Sequence, residues 1–144
     1  MKLNKASLFA LIAVLELASD PTKQVSTNEI AEKYGISTHH LAKVMRNLVY
    51  HGLAQAARGV GGGYTFSGNI KRTTLLDVIQ KFENLESVIE MPKLAVEGPI
   101  VIELKNVIHE IDNLTRVVLD TITLETALKS AMQQSLSKSV TPGT

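Results

Sequence analysis

The chain has 144 residues, 44% of them hydrophobic, with no Cys, no Trp and a formal net charge of +1. That is enough apolar material for one domain, or a domain with an appendage, and too much for a disordered chain. The missing cysteines exclude a disulfide, a thiolate-held metal site and a Cys nucleophile, and they are compatible with a cytoplasmic location.

Charge is unevenly placed. Residues 1–72 hold nine Lys/Arg and four Asp/Glu, whereas residues 73–144 hold six and ten. A basic first half suits contact with phosphate, and an acidic second half does not. The opening M-K-L-N-K followed by an apolar run could pass for a signal peptide. Glu16 interrupts that run, however, and no small-residue cleavage site is clear, so a buried or amphipathic first helix is the expectation. No apolar run reaches the roughly 18 residues of a membrane span, and no membrane partner is expected.

In chain order, Leu8, Leu11, Ile12, Leu15 and Ala18 recur at helical spacing and predict a first helix over Lys5 to about Ser19. Phe9, Ala10 and Val14 widen its apolar face. Asp20-Pro21 ends it, because the residue before Pro disfavours the α region. A second helix starts at Ser26, where S-x-x-E (Ser26, Glu29) predicts a capping box and Val25 with Ile30 a hydrophobic staple. Gly35 stops it in a left-handed conformation. Ser37 caps a third helix, expected from about Thr38 to His51, with Leu41, Val44, Met45 and Leu48 facing inward. Its outer face offers Thr38, His39, Lys43, Arg46 and Asn47, with Tyr50 near the end.

Two capped helices around a glycine stop form a helix-turn-helix. Hydroxyl, imidazole and amide groups on the outer face can address base edges, and Lys or Arg can take guanine or phosphate. Gly52 and Leu53 predict a Schellman-type stop. Leu53 to Arg58 and Tyr64 to Phe66 then read as two short strands joined by Gly59-Val60-Gly61-Gly62-Gly63. This is a glycine-tipped wing, and Arg58 at its base can enter a narrow minor groove. A nucleotide-binding phosphate loop is excluded, since no G-K-[ST] follows and a strand, not a helix, comes next.

Thr73 or Thr74 caps a short helix expected through about Glu83, with Asp77 as the first-turn carboxylate. Residues 84–98 are acidic and broken by Pro92, and they read as a loop with at most a helical turn. Gly98-Pro99 opens a long helix striped by Leu104, Val107, Ile108, Ile111, Leu114 and Val118. At about 20 residues and about 30 Å it is too long for a domain of this size to cover, so part of the stripe is expected to face a second copy. Thr123 caps a last helix with Leu124, Leu128 and Met132, and residues 133–144 are expected to be a flexible tail.

These residues resemble the IscR–NsrR–CymR family of bacterial winged-helix regulators, the Rrf-two type. The resemblance runs through M-K-L at the start, E-I-A-E-K-Y-G-I-S with L-x-x-V-x-x-x-L after it, G-L, R-G-x-x-G-G-Y from Arg58 to Tyr64, T-L-L-D-V-I from Thr74 to Ile79, and I-T-L from Ile122 to Leu124. It implies a homodimer with crossed long helices and two winged helices on a palindromic or pseudo-palindromic operator. Many relatives carry a carboxylate where Ala42 stands, so their operator preference does not carry over. Many also hold an iron–sulfur cluster through three cysteines. Here the last would fall near Ile102 and a further ligand near Lys105, so the chain resembles a cluster-free branch without that cofactor.

The expected fold is mainly α with a small β-hairpin. A winged helix-turn-helix domain occupies residues 1–83, a linker or sensing loop 84–98, and the dimerisation and terminal helices 99–132. The expected partners are double-stranded DNA, a second copy, and an unidentified small-molecule or protein effector acting at residues 84–105. The expected DNA-facing set is Lys5, Ser26, Thr27, Asn28, Ser37, Thr38, His39, His40, Lys43, Arg46, Arg58, Gly59, Gly61, Gly62 and Tyr64. His109, with Glu103 and Asp112 at helical spacing, is the one possible metal ligand on the long helix, and a surface role is its ordinary reading. Met91 beside Pro92 is a possible oxidation sensor whose ordinary reading is packing. No nucleophile with a placed base and no paired carboxylates suggest an enzyme. The competing function is a winged-helix protein-interaction module that does not read DNA sequence.

Overall fold

The computed structural model describes residues 2–59, 61–87 and 89–140. Six helices and one hairpin follow in order: α1 (Lys5–Ser19), α2 (Thr27–Tyr34), α3 (Thr38–Tyr50), β1 (Ala54–Ala57), β2 (Gly63–Phe66), α4 (Leu75–Gln80), α5 (Pro99–Thr121) and α6 (Leu124–Val140). None of the described helices is long and apolar enough to cross a membrane.

Helix α1 is the hub and packs on α3, α4, β2 and α6. Its buried residues are Ser7, Ala10, Ala13, Val14, Leu17 and Ala18. This differs from the predicted stripe: Leu8 is exposed, and Leu11, Ile12 and Leu15 are only half-buried. The helix is apolar nearly all round, so periodicity could not choose its inner face. Small residues won because they let neighbouring backbones approach closely, as interior packing at crystal-like density requires. The main core joins this face to Ile30 and Ala31 of α2, to Leu41, Val44, Met45 and Leu48 of α3, and to Leu53, Val78 and Leu124.

The helix ends follow the sequence signals with one shortfall. Ser26 Oγ accepts a hydrogen bond from the Glu29 amide at 3.1 Å, but the reciprocal bond of the expected capping box is not made. The complete box lies at α4, where Thr74 Oγ1 accepts from Asp77 N and Asp77 Oδ2 accepts from Thr74 N. Helix α3 ends in a Schellman motif, with Gly52 at φ 76°, Gly52 N donating to Val49 O and Leu53 N to Leu48 O.

Helix α4 stops at Gln80, earlier than expected. The next turn places Glu83 against the start of α1, where its Oε2 accepts from Asn4 N and from the buried Ser7 hydroxyl. A carboxylate there satisfies otherwise unpaired donors at a positive helix end.

The T-L-L-D and I-T-L segments form an isolated antiparallel bridge, Thr74 to Thr123. Leu75 N donates to Ile122 O, and Leu124 N to Thr73 O, both at 2.9 Å. This clip docks the start of α6 onto the domain and buries Leu124 completely. Thr123 Oγ1 caps α6 by accepting from Thr126 N. Residues 84–98 form no helical turn among those described. The expected tail boundary at 133 is also displaced: α6 continues in helix to Val140. The Gln, Ser and Lys residues there read as tail-like, but none of them breaks a helix already nucleated. Residues 141–144 of the expected tail lie outside the described residues.

Helix α5 has 23 residues, about 34 Å at ~1.5 Å per residue. None of them is buried in the single chain.

Candidate nucleic-acid interface

The site is assembled by α2, α3 and the hairpin. Leu41, Val44, Met45 and Leu48 are buried at one in every three or four positions, which fixes the rotation of α3. The opposite face then presents Thr38, His39, Lys43, Arg46 and Asn47, all exposed as the sequence predicts, and Tyr50 beyond them at 83% exposure. Two amides at the start of α3 are oriented by Ser37, whose Oγ accepts from His40 N at 3.3 Å while the helix closes with Leu41 N to Ser37 O.

Not every predicted residue contributes in the same way. The His40 ring meets Phe9 of α1 edge-on, with centroids 5.0 Å apart and planes at 74°. It is half-buried and braces α3 against α1 more than it faces outward. The Ser26 and Ser37 oxygens accept from their own helices, which leaves each hydroxyl proton able to donate to a phosphate. Thr27 and Asn28 occupy the first turn of α2 beside Ser26, with Asn28 exposed. Lys5 is exposed in the first turn of α1.

The wing is a two-stranded antiparallel hairpin in the register Ala54–Phe66 to Ala57–Gly63. Arg58, Gly59, Gly61 and Gly62 are exposed at its tip, and Gly62 N donates to Gly59 O at 3.2 Å. Val60 lies outside the described residues.

Tyr64 does not face outward. Its side chain packs on the main core. Its backbone pairs with Val25, Val25 N donating to Tyr64 O at 2.9 Å and Tyr64 N to Val25 O at 2.8 Å. The residue just before the α2 cap therefore ties the wing to the helix-turn-helix. Gly63 makes that approach possible: its φ is 140°, and a Cβ there would stand 2.9 Å from Val25 O. Sequence reasoning treated Val25 only as a staple residue. Its β-branched side chain suits a bridge, but no signal in the sequence pairs it with a residue 39 positions away.

Electrostatics add a second tie on the far side of α2. Glu16 of α1 accepts from Lys33 Nζ at 2.8 Å and from the Tyr34 hydroxyl. Burial alone would raise the Glu16 carboxyl, but those two hydrogen bonds together with the charges of Lys33 and Lys23 outweigh it and hold the group below its ordinary value. Partial burial and the bond to Glu16 push the Tyr34 phenol up. Val25–Tyr64 and Glu16–Tyr34 thus hold α2 from both ends. The turn between α2 and α3 is set by Gly35 at φ 66°.

The comparisons agree with this geometry. A family described as Rrf2, iron-dependent transcriptional regulator, matches residues 3–130. The chain is 42% identical over 130 residues to BadM of Rhodopseudomonas palustris, named as an HTH-type transcriptional regulator, covering 90% of this chain and 82% of that one. It is 31% identical to the HTH-type transcriptional regulator NsrR of Bacillus subtilis, over 90% and 92% of the two chains. Among solved structures it is similar to CymR, the global cysteine regulator of B. subtilis, at 28% identity and TM-score 0.74, covering 90% of this chain and 98% of that one. The T. potens IscR structure gives 26% and 0.72 over 91% and 88%.

The family description mentions iron, and the donor set here does not fit a thiolate-held cluster. The chain has no cysteine, Ile102 and Lys105 stand on the exposed first turns of α5, and no three His, Asp or Glu among the described residues are placed to hold a metal ion. With that departure, the match over nearly the whole chain and the wing geometry lead to one assignment: the chain belongs to the Rrf2 family and is a winged helix-turn-helix transcriptional regulator.

Proposed function

We propose that this regulator is a homodimeric repressor, working in the cytoplasm, that reads a palindromic or pseudo-palindromic operator. Helix α3 enters the major groove through Thr38, His39, Lys43, Arg46 and Asn47, and the wing from Arg58 to Gly62 follows the minor groove. The observation that carries the reading is the exposed basic face of α3, fixed in rotation by its buried stripe and flanked by the glycine tip of a braced hairpin. A glycine tip lets the backbone approach a phosphate or a groove floor closely.

Two-fold reading is supported by α5. Leu104, Val107, Ile111, Leu114, Val117 and Val118 are all exposed on it, and Ile108 is only half-buried. Such a stripe is more apolar surface than a monomer ordinarily leaves in water. A second copy would cover it symmetrically.

Control is assigned to residues 84–105. That segment is clipped to α5 by Arg116 Nη2 donating to Leu85 O at 2.7 Å, Ser87 Oγ donating to Asp112 at 2.7 Å, and the Lys105–Glu97 ion pair. A small molecule, a partner protein or a redox change that opens these clips would act on the dimer helix directly.

The test is duplex binding against salt. Arg58→Ala should weaken binding by about 1–3 kcal/mol and relax preference at the base steps under the wing. Lys43→Ala should weaken all duplexes alike and lower the salt slope by about one. Wild-type protein with no affinity for duplex at low salt would defeat the reading.

A further inference from the structure

We propose that the groove between α1 and α6 is a binding site for an uncharged, apolar small molecule. Its walls are Ile12, Leu15 and Ala18 of α1 against Leu128, Ala131 and Met132 of α6, and it encloses about 680 Å³. Small-molecule sites commonly hold about 300–1,000 Å³ between largely apolar walls. Ile12, Leu15 and Leu128 stay half-buried along this groove, and Met132 is 67% exposed. The chain's own side chains therefore do not fill it. A flexible Met at the wall can adapt to an inserted ring.

The rim decides the class of ligand. Its charged groups are Glu16, Glu125 and Lys129. Glu16 is taken by Lys33 and by the Tyr34 hydroxyl, and Glu125 is paired with Lys129 at 3.4 Å. With each charge matched, the rim offers a charged ligand no unpaired counter-charge, whereas an uncharged one needs only the apolar walls. The groove also shares no lining residue with the stripe Leu104 to Val118 on α5, so it is not a continuation of the proposed contact between copies.

The position connects the two halves of the molecule. Tyr34 lines the groove, ends α2 and precedes Gly35, the pivot into α3. The opposite wall, α6, begins at the Thr123 bridge that follows α5. A molecule wedged between α1 and α6 would bear on the Glu16–Tyr34 tie and thereby on the angle of α3. That consequence rests on the regulator reading, whereas occupancy of the groove does not.

The experiment is a fluorescence titration of the full chain with Nile red, an uncharged apolar dye, followed by competition with indole. The expected result is saturable, blue-shifted emission with one dye per chain, displaced by indole. Met132→Glu, at a position too exposed to endanger folding, should weaken dye binding at least tenfold, and Leu128→Glu should do the same. Leu114→Glu on α5 should leave it unchanged. The proposal is overturned by non-saturable emission, by binding that survives Met132→Glu, by binding lost in Leu114→Glu instead, or by Met132→Glu altering self-association, which would mark the groove as a contact between copies. No DNA enters the titration, so failure of duplex binding and failure of the groove are separate outcomes.

Discussion

The reading head and the C-terminal arm use the same aliphatic residues in opposite ways. In the head, Leu17, Ile30, Leu41, Met45 and Leu48 are sealed from water by α1, α2, α3 and the hairpin. In the arm, no residue of α5 is fully buried within the single chain, although its stripe is as regular as that of α3 and Leu119 packs against Leu76, Ile79 and Leu85. The core of the head is closed within one chain, with Leu124 of α6 as one of its members, whereas the stripe of α5 stays exposed in that chain. The clip between Thr74 and Thr123 joins the two at the end of α5, and Arg116, Asp112 and Lys105 tie α5 to residues 85–97.

Mutations should separate the halves. The largest effect belongs to the head: Leu41→Ala removes a fully buried side chain between helices and should cost about 2–5 kcal/mol in denaturant unfolding. Gly63→Ala should cost about 2 kcal/mol or more, because it combines a left-handed φ with a Cβ 2.9 Å from Val25 O. Hydrogen exchange at the Val25 and Tyr64 amides should then accelerate before the rest of the core.

In the arm, Leu114→Glu should leave the fold of each chain intact, since that residue is 59% exposed. It should weaken self-association by about 2 kcal/mol, visible in sedimentation equilibrium. An equal loss of chain stability would show that α5 is buried in the monomer after all.

The smallest effect is at the tie between α1 and α2. Glu16→Gln should cost less than about 1 kcal/mol, because the group is partly solvated. Its pH dependence has a definite sign. The depressed Glu16 carboxyl contributes stability that is present at neutral pH and lost as pH falls through its folded-state value. The raised Tyr34 phenol contributes stability present below its ordinary value and lost as pH rises past it. The difference between wild type and Glu16→Gln, measured by thermal unfolding, should be a plateau around neutrality that shrinks at both ends.

Much of the head was legible because its signals are local. Ser26, Gly35, Ser37 and Gly52 act on their own helix ends, and the 3.6-residue period of α3 allows one rotation only. What escaped was tertiary. Helix α1 is apolar nearly all round, so its inner face was decided by which neighbours come closest, and Ala10 and Ala13 prevailed over Leu8 and Ile12. The Val25–Tyr64 bridge and the Glu83 contact with Ser7 join residues 39 and 76 positions apart, beyond any pattern in a window. The Thr74–Thr123 bridge gives a physical role to two segments that the sequence showed only as family-like. Helix α6 ran past its expected end because polar composition was read as disorder where no breaker exists. Among the DNA-facing candidates, the exposed residues of α3 and the wing tip were recognisable by type and spacing. The bracing roles of His40 and Tyr64 were not, since a ring that packs and a ring that reads look alike in one dimension.

Whether two copies read one symmetric operator through α3 and the wing is decided by selecting duplexes from a random pool and weighing the resulting complex. The expected result is enrichment of an inverted repeat that binds two chains. No enrichment, or an asymmetric site occupied by a single chain, would contradict it.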